Sequence, residues 1–236
     1  MDLNFYCPVK IVTGKDCIKN NIEVFSKFGK SCIIITGQNS AKKSGALADV
    51  IYALDQNGVK YTVFDGIEQN PSYDSCLKAA LQAKQTGAQF VIGIGGGSPL
   101  DASKAIAVLA AVDDTSVENL YSLDWKQQPL PIIAVGTTSG TGSEVTPVAV
   151  ITTPEGLKKS VLAPTLYPKV SFGDPTYTMT IPTNFTRSTA LDALSHAIEA
   201  YFNRKTNDIC RTFALRSIEI LIPILEKTAS IDAKEL

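Results

Sequence analysis

The sequence predicts an α/β fold, and three observations predict it. From Ser31 onward, short β-rich apolar runs closed by glycine alternate with longer stretches whose apolar residues recur at three- and four-residue spacing. The strand-like runs are apolar almost throughout, as strands covered on both faces are. After about Pro182 the alternation stops, and two helical stretches follow with no strand between them. The alternation implies right-handed crossovers and a mostly parallel sheet. The change of texture implies the beginning of an all-helical domain.

"CIIITG" reads as a buried strand, and "SGALADVIYALDQNG" as a helix closed by Gly58. "KYTVFDG" is a second strand, "YDSCLKAALQAKQTG" a helix ending at Gly87, and "QFVIGIGGG" a third strand. "SPLDASKAIAVLAAV" is the next helix, followed by the strands "PIIAVGTT" and "VAVIT". "TRSTALDALSHAIEAYFN" and "ICRTFALRSIEILIPILEK" are the two closing helices. Residues 1–182 are assigned to the Rossmann-like sheet domain and 183–236 to an incomplete helical domain, because two helices enclose little core.

With 44% hydrophobic residues in 236, a core is easily built. Lys plus Arg (22) nearly balances Asp plus Glu (23), so charge points to neither nucleic acid nor an anionic membrane. A small molecule is the better ligand. The five cysteines, Cys7, Cys17, Cys32, Cys76 and Cys210, are scattered without CxxC spacing, which fits a reducing cytoplasm. "MDLNFYCPVKIVTGKD" lacks the basic segment and long apolar run of a secretory leader.

Two loops carry the functional signal. "GIGGGSPLD" lies where a strand becomes a helix; consecutive glycines admit a bulky anion, and a helix start offers unpaired N–H groups and a positive dipole end. Ser98 is the expected N-cap, with Pro99 first in the helix and Asp101 third, where a carboxylate suits the helix start. The turn is not the GxGxxG fingerprint, and it follows the third strand of the alternation instead of the first. The alternative is a tight connection that binds nothing. "GTTSGTGSEVTP" supplies hydroxyls from Thr137, Thr138, Ser139, Thr141 and Ser143 that suit phosphate or ribose oxygens, or else forms a polar surface turn. Both loops follow strand ends, where open α/β sheets bind ligands.

The third signal is "LDALSHAIEAY". Asp192 and His196 are one helical turn apart and share a face, extended by Glu199 and Asn203, opposite an apolar face of Leu191, Leu194, Ile198 and Tyr201. Carboxylate and imidazole suit iron or zinc. An ordinary Asp–His helix pair has the same spacing.

The strings "GGGSPLDASKAIA", "TTSGTGSEVTP", "FGDPTYTMTIP" and "ALDALSHAIEAY", with "FYCPVKIVTG" before them, resemble the iron-containing, or group III, alcohol dehydrogenases in order and spacing. The resemblance implies a nicotinamide dinucleotide on Gly95, Gly96, Gly97 and Ser98, contacted by Thr137, Thr138 and Thr141 and by Asn70 and Lys158, with Asp101 grouped in the same set. It implies that Asp192 and His196 are two of four ligands to ferrous iron or zinc, and that the activity is reversible hydride transfer between a small primary alcohol or diol and NAD(P). It implies a homodimer, for which "FYCPVKIVTG" could supply an edge strand.

The chain departs from the family pattern twice. Where many NAD-using relatives end the first α/β strand with aspartate, Gly37 stands here, followed by Asn39 and Ser40, which could donate to a 2′-phosphate, and Lys42 or Lys43, which could neutralise it; the expectation is NADP, the alternative being that the lysines are ordinary solvated residues of a helix start. His196 is the only histidine, so the expected site has two ligands, the chain reads as truncated, and metal is expected to be absent or weakly held. The rival readings are a glycerol dehydrogenase-like polyol oxidase, a dehydroquinate synthase-like lyase, and a non-catalytic nucleotide-binding fragment.

Overall fold

The computed structural model describes residue 3 and residues 5–235. In chain order the strands are β1 (Lys10–Thr13), β2 (Ser31–Thr36), β3 (Lys60–Phe64), β4 (Phe90–Gly95), β5 (Ile132–Gly136), β6 (Val148–Thr152), β7 (Lys158–Leu162) and β8 (Val170–Gly173). The helices are α1 (Ser40–Lys43), α2 (Ala46–Gln56), α3 (Tyr73–Gln85), α4 (Gly97–Ala111), α5 (Val117–Ser122), α6 (Thr183–Phe202) and α7 (Asp208–Glu235). Short 3-10 segments at Lys19–Lys27, Ser143–Val145, Pro164–Leu166 and Pro175–Thr178 complete the list.

Six strands form one sheet in the order β1-β8-β5-β4-β2-β3, and every pairing in it is parallel. The isoleucines of β2 and the Phe-Val-Ile run of β4 are wholly buried, as central strands covered on both faces must be. One core packs α3, α4 and α5 on one face of the sheet; the other packs α2, the Lys19–Lys27 segment and the Phe25–Phe172 ring stack on the opposite face. Helix α3 starts where Ser72 caps it, accepting the N–H of Ser75. Helix α4 is buried nearly all round, from Pro99 and Leu100 to Val108 and Leu109.

One detail differs from the sequence reading, one adds to it and one agrees with it. "VAVIT" leaves the main sheet and forms an antiparallel hairpin with β7, with Thr152 opposite Lys158. "FGDPTYTMTIP" contains β8 and then a knot: the buried Asp174 accepts from Asp16 N (2.6 Å), Thr176 N (2.8 Å) and Thr176 Oγ1 (2.7 Å). "FYCPVKIVTG" contains β1, the edge strand, parallel to β8.

The chain divides into two units. The sheet unit comprises Cys7–Thr137 and Ser143–Thr180; the helical unit gathers Thr138–Gly142, the chain from Ile181 onward, and the described residues before Cys7. Within the helical unit, Arg187 near the start of α6 donates to the carbonyl of Thr228 late in α7 (2.8 Å), and Phe5 lies 6.1 Å from Phe213. The expected apolar face of α6 is largely open. Leu191 and Ile198 are exposed, and the buried point is the small Ala197.

Candidate active site

Parallel register puts three of the predicted features side by side. Thr36 is level with Ile94, and Gly95 with Gly136, so Gly37, the Gly95–Ser98 turn and Thr137 follow the carboxyl ends of adjacent strands. From β2 the chain moves outward to β3, whereas from β4 it moves the opposite way to β5. The crevice between β2 and β4 is therefore the switch point at which open α/β sheets take ligands.

Glycine is required at the turn. Gly95 has φ of 152°, and a Cβ there would lie 2.6 Å from Cγ of Pro99. Helix α4 begins at Gly97 with extended Gly96 before it and no side-chain cap, so Ser98 is not the N-cap that its residue type suggested. The two glycines let the helix start earlier, leaving Pro99 still within the first turn, where its missing N–H costs nothing. The Ser98 hydroxyl instead accepts the N–H of Asn70 (3.2 Å). Asn70 holds φ of 56°, a conformation asparagine tolerates, and its Oδ1 accepts from Nζ of Lys158 (2.8 Å). Ser98, Asn70 and Lys158 come from α4, the β3–α3 loop and β7, and they form one hydrogen-bonded chain beside the positive end of α4.

Thr137 closes this cleft. Its N–H donates to the Gly95 carbonyl (2.9 Å), its side chain is buried, and its Oγ1 has no hydrogen-bond partner. An unsatisfied buried hydroxyl costs about 1–3 kcal/mol, and a ligand oxygen at the mouth of the glycine turn would remove that cost. The residues present thus fit a bound pyrophosphate. On the β2 side, Asn39, Ser40 and Lys43 are exposed after Gly37, while Lys42 Nζ lies 2.6 Å from Asp65 Oδ2 and its hydrogen bond holds that carboxyl below the usual range.

Thr138 and Thr141 belong to the helical unit, with Gly140 between them. Gly140 has φ of 146°, and a Cβ on it would fall 2.4 Å from the Thr189 carbonyl oxygen of α6, so no side chain fits. Its own carbonyl lies 3.3 Å from Nδ1 of His196. A carbonyl only accepts, so a hydrogen bond there uses a proton on Nδ1, while Nε2 lies 3.8 Å from Asp192 Oδ1. Both side chains are about half exposed. The donor chemistry suits iron or zinc, but among the described residues no third His, Cys, Asp or Glu joins the pair.

Two family models match the chain: "Iron-containing alcohol dehydrogenase" over residues 8–175 and the C-terminal "Fe-containing alcohol dehydrogenase family" over residues 186–234. The chain belongs to the iron-containing alcohol dehydrogenase family. It is 39% identical over 186 residues to a long-chain primary alcohol dehydrogenase of Thermoanaerobacter ethanolicus, covering 78% of this chain and 47% of that one. It is 34% identical to NADH-dependent butanol dehydrogenase B of Clostridium acetobutylicum, covering 87% and 53%. An iron-containing alcohol dehydrogenase structure from Thermotoga maritima superposes with a TM-score of 0.91 at 38% identity, covering 96% of this chain and 62% of its own. This chain spans about half the length of those curated relatives.

In this family member the sequence reading missed Lys104, and it counted Ser143 among the loop hydroxyls that suit a ligand, whereas Ser143 is turned inward to Lys104 and Asp101. Lys104 is wholly buried, and Nζ donates to Ser143 Oγ (2.8 Å) and the Val148 carbonyl (2.6 Å), with Asp101 Oδ1 at 3.8 Å. Asp101, grouped with the cofactor set, spends both oxygens inside the protein: Oδ1 accepts from Ser143 Oγ (2.5 Å) and Oδ2 from Val150 N (2.9 Å). Burial pushes the Lys104 ammonium down to about 8 against the opposing charges of Asp101 and Glu144. Burial also raises the Asp101 carboxyl, against the charge of Lys104. A signal for Lys104 existed, since it sits in a stretch apolar on every side, "ASKAIAVLAA", where a lysine has no outward face to occupy.

Proposed function

We propose that this chain is the dinucleotide-binding part, with the first metal-binding helix, of an enzyme that moves hydride reversibly between a small primary alcohol or diol and a nicotinamide cofactor. Residues 1–182 hold the dinucleotide, and 183–236 begin the metal-binding helical domain. The observation that carries the reading is the Ser98–Asn70–Lys158 chain beside the N-terminus of α4, next to the orphaned Thr137 hydroxyl. Backbone N–H groups of the glycine turn and the Lys158 ammonium would neutralise the pyrophosphate, and Thr137 would fix its orientation. Thr138 and Thr141 add hydroxyls from the second loop.

NADP is favoured over NAD. Gly37 offers no carboxylate to repel a 2′-phosphate, and Asn39, Ser40 and Lys43 are exposed to receive one. Asp192 and His196 would hold two positions of a ferrous or zinc ion, which supplies Lewis-acid stabilisation of an alkoxide when bound. The chain's own part is to orient the cofactor and, through the Gly140 carbonyl, to keep His196 in the tautomer that offers Nε2. Edge strand β1 suits pairing between two copies in a homodimer, and a cytoplasmic setting suits the unpaired cysteines. No helix among the described residues is long and apolar enough to cross a membrane.

A second reading is favoured by the two-donor site: the 236-residue chain binds nucleotide without turnover. Glycerol dehydrogenase-like polyol oxidation is the enzymatic alternative. Reduction of NAD and NADP by a panel of small alcohols and polyols, with ferrous iron or zinc added, separates them. Metal-dependent reduction supports the oxidoreductase reading, with the preferred alcohol or polyol naming its branch; binding of NADP(H) without reduction supports the nucleotide-binding reading for this chain.

A further inference from the structure

Lys104 is a charged side chain with no exposure, and a buried ion pair is a costly way to fill space. What such a group supplies is registry, because its ammonium is satisfied only by a particular arrangement of acceptors. Here that arrangement joins three elements. Asp101 and Lys104 lie in the first half of α4, Ser143 opens the 3-10 turn after the hydroxyl-rich loop, and Val148 and Val150 belong to β6. The circuit does not stop there. Strand β6 pairs with β7, Lys158 of β7 reaches Asn70, and Asn70 donates to Ser98, back on α4. One end of this ring is buried and built from charge; the other lies at the glycine turn.

We propose that Lys104 is a positioning residue for the dinucleotide: with Asp101 and Ser143 it fastens the β6–β7 hairpin to α4, and so holds Lys158 and Asn70 beside the glycine turn. The inference rests on the nucleotide-binding reading above. It explains why the second loop is anchored twice in the sheet unit, by Thr137 on Gly95 and by Ser143 on Asp101 and Lys104. It also gives Asp101, whose oxygens are turned inward, a part in binding that needs no contact with the ligand.

The test is titration with NADPH, followed by its fluorescence, of the 236-residue chain and of Lys104→Met, Lys158→Met and the double variant, with circular dichroism confirming folding. Each single variant should bind about tenfold more weakly, the scale on which supporting residues behind a ligand contact matter. The double variant should be no weaker than the weaker single one, because both changes break one ring. Lys43→Met, on α1 outside the ring, should multiply with Lys104→Met. A folded Lys104→Met chain that binds within about twofold of wild type overturns the proposal, and so does a double variant weakened about a hundredfold. If Lys104→Met does not fold, Ser143→Ala keeps both charges; weakened binding that does not multiply with Lys158→Met supports the ring, and unchanged binding overturns it. Wild type that binds no NADPH would bring down the nucleotide reading itself, a result distinct from the failure of Lys104 alone.

Discussion

Helices α4, of 15 residues, and α6, of 20, carry the two halves of the proposed chemistry, yet they are built on opposite terms. Helix α4 buries its whole girth, a lysine included, between β4 and the β6–β7 hairpin. Helix α6 buries only Ala197, and Leu191, Ile198 and Phe202 stand open, as do Phe213 and Ile220 on α7. The sheet unit closes its core with its own residues, whereas the helical unit has apolar side chains to spare. The residues proposed to hold the cofactor therefore lie on a scaffold that closes its own core, and the proposed metal pair lies on a helix packed chiefly against α7, with much of its apolar surface open.

The contrast is easiest to break in the sheet core. Phe172→Ala, which removes a wholly buried ring stacked 5.5 Å from Phe25, should cost about 3–5 kcal/mol in chemical denaturation. Alkaline pH should come next. Burial raises the Cys32 thiol to about 12 from 9.0, so its contribution is fully present below pH 9 and is lost as pH climbs towards 12. Cys32 alone should lower stability by up to about 1.4 kcal/mol per pH unit through that window, beside Cys76, whose thiol burial also raises, and Cys32→Ala should reduce the slope by that amount.

In the helical unit the largest single-residue effect should belong to Gly140, not to an apolar side chain. Gly140→Ala faces both the positive φ and the Thr189 carbonyl and should cost about 1–3 kcal/mol. It should also move the ring proton of His196, readable without overlap by nitrogen NMR because the chain has one histidine. Smallest of all should be Phe213→Ala, whose ring is 60% exposed, at under about 0.5 kcal/mol by thermal melt. A loss as large as that at Phe172 would show that the helical unit holds a core of its own.

The same contrast governs how much could be read from the sequence. Strands β2 to β5 and helices α2 to α4 were legible because their residues are buried in a regular period. Strands β7 and β8 were not: "KKSVL" has one buried residue, and "VSFG" is too short to show alternation. "VAVIT" read as a strand, but nothing in five residues says whether it joins the sheet or a hairpin. The apolar face of α6 was drawn from periodicity, and periodicity cannot supply the partner that buries a face. At the site, the glycine turn was legible from composition. Capping preference alone misplaced Ser98, because two helix-starting glycines changed the count, and Lys104 was passed over because lysines usually face water.

The crevice at the carboxyl ends of β2 and β4 is the site proposed to bind a nicotinamide dinucleotide. Calorimetric titration of the chain with NADPH and NADH tests that proposal most directly. Saturable binding of one dinucleotide per chain is expected, tighter for NADPH and weakened when Thr137→Val removes the orphaned hydroxyl. A folded chain that shows no saturable binding of either dinucleotide would contradict it.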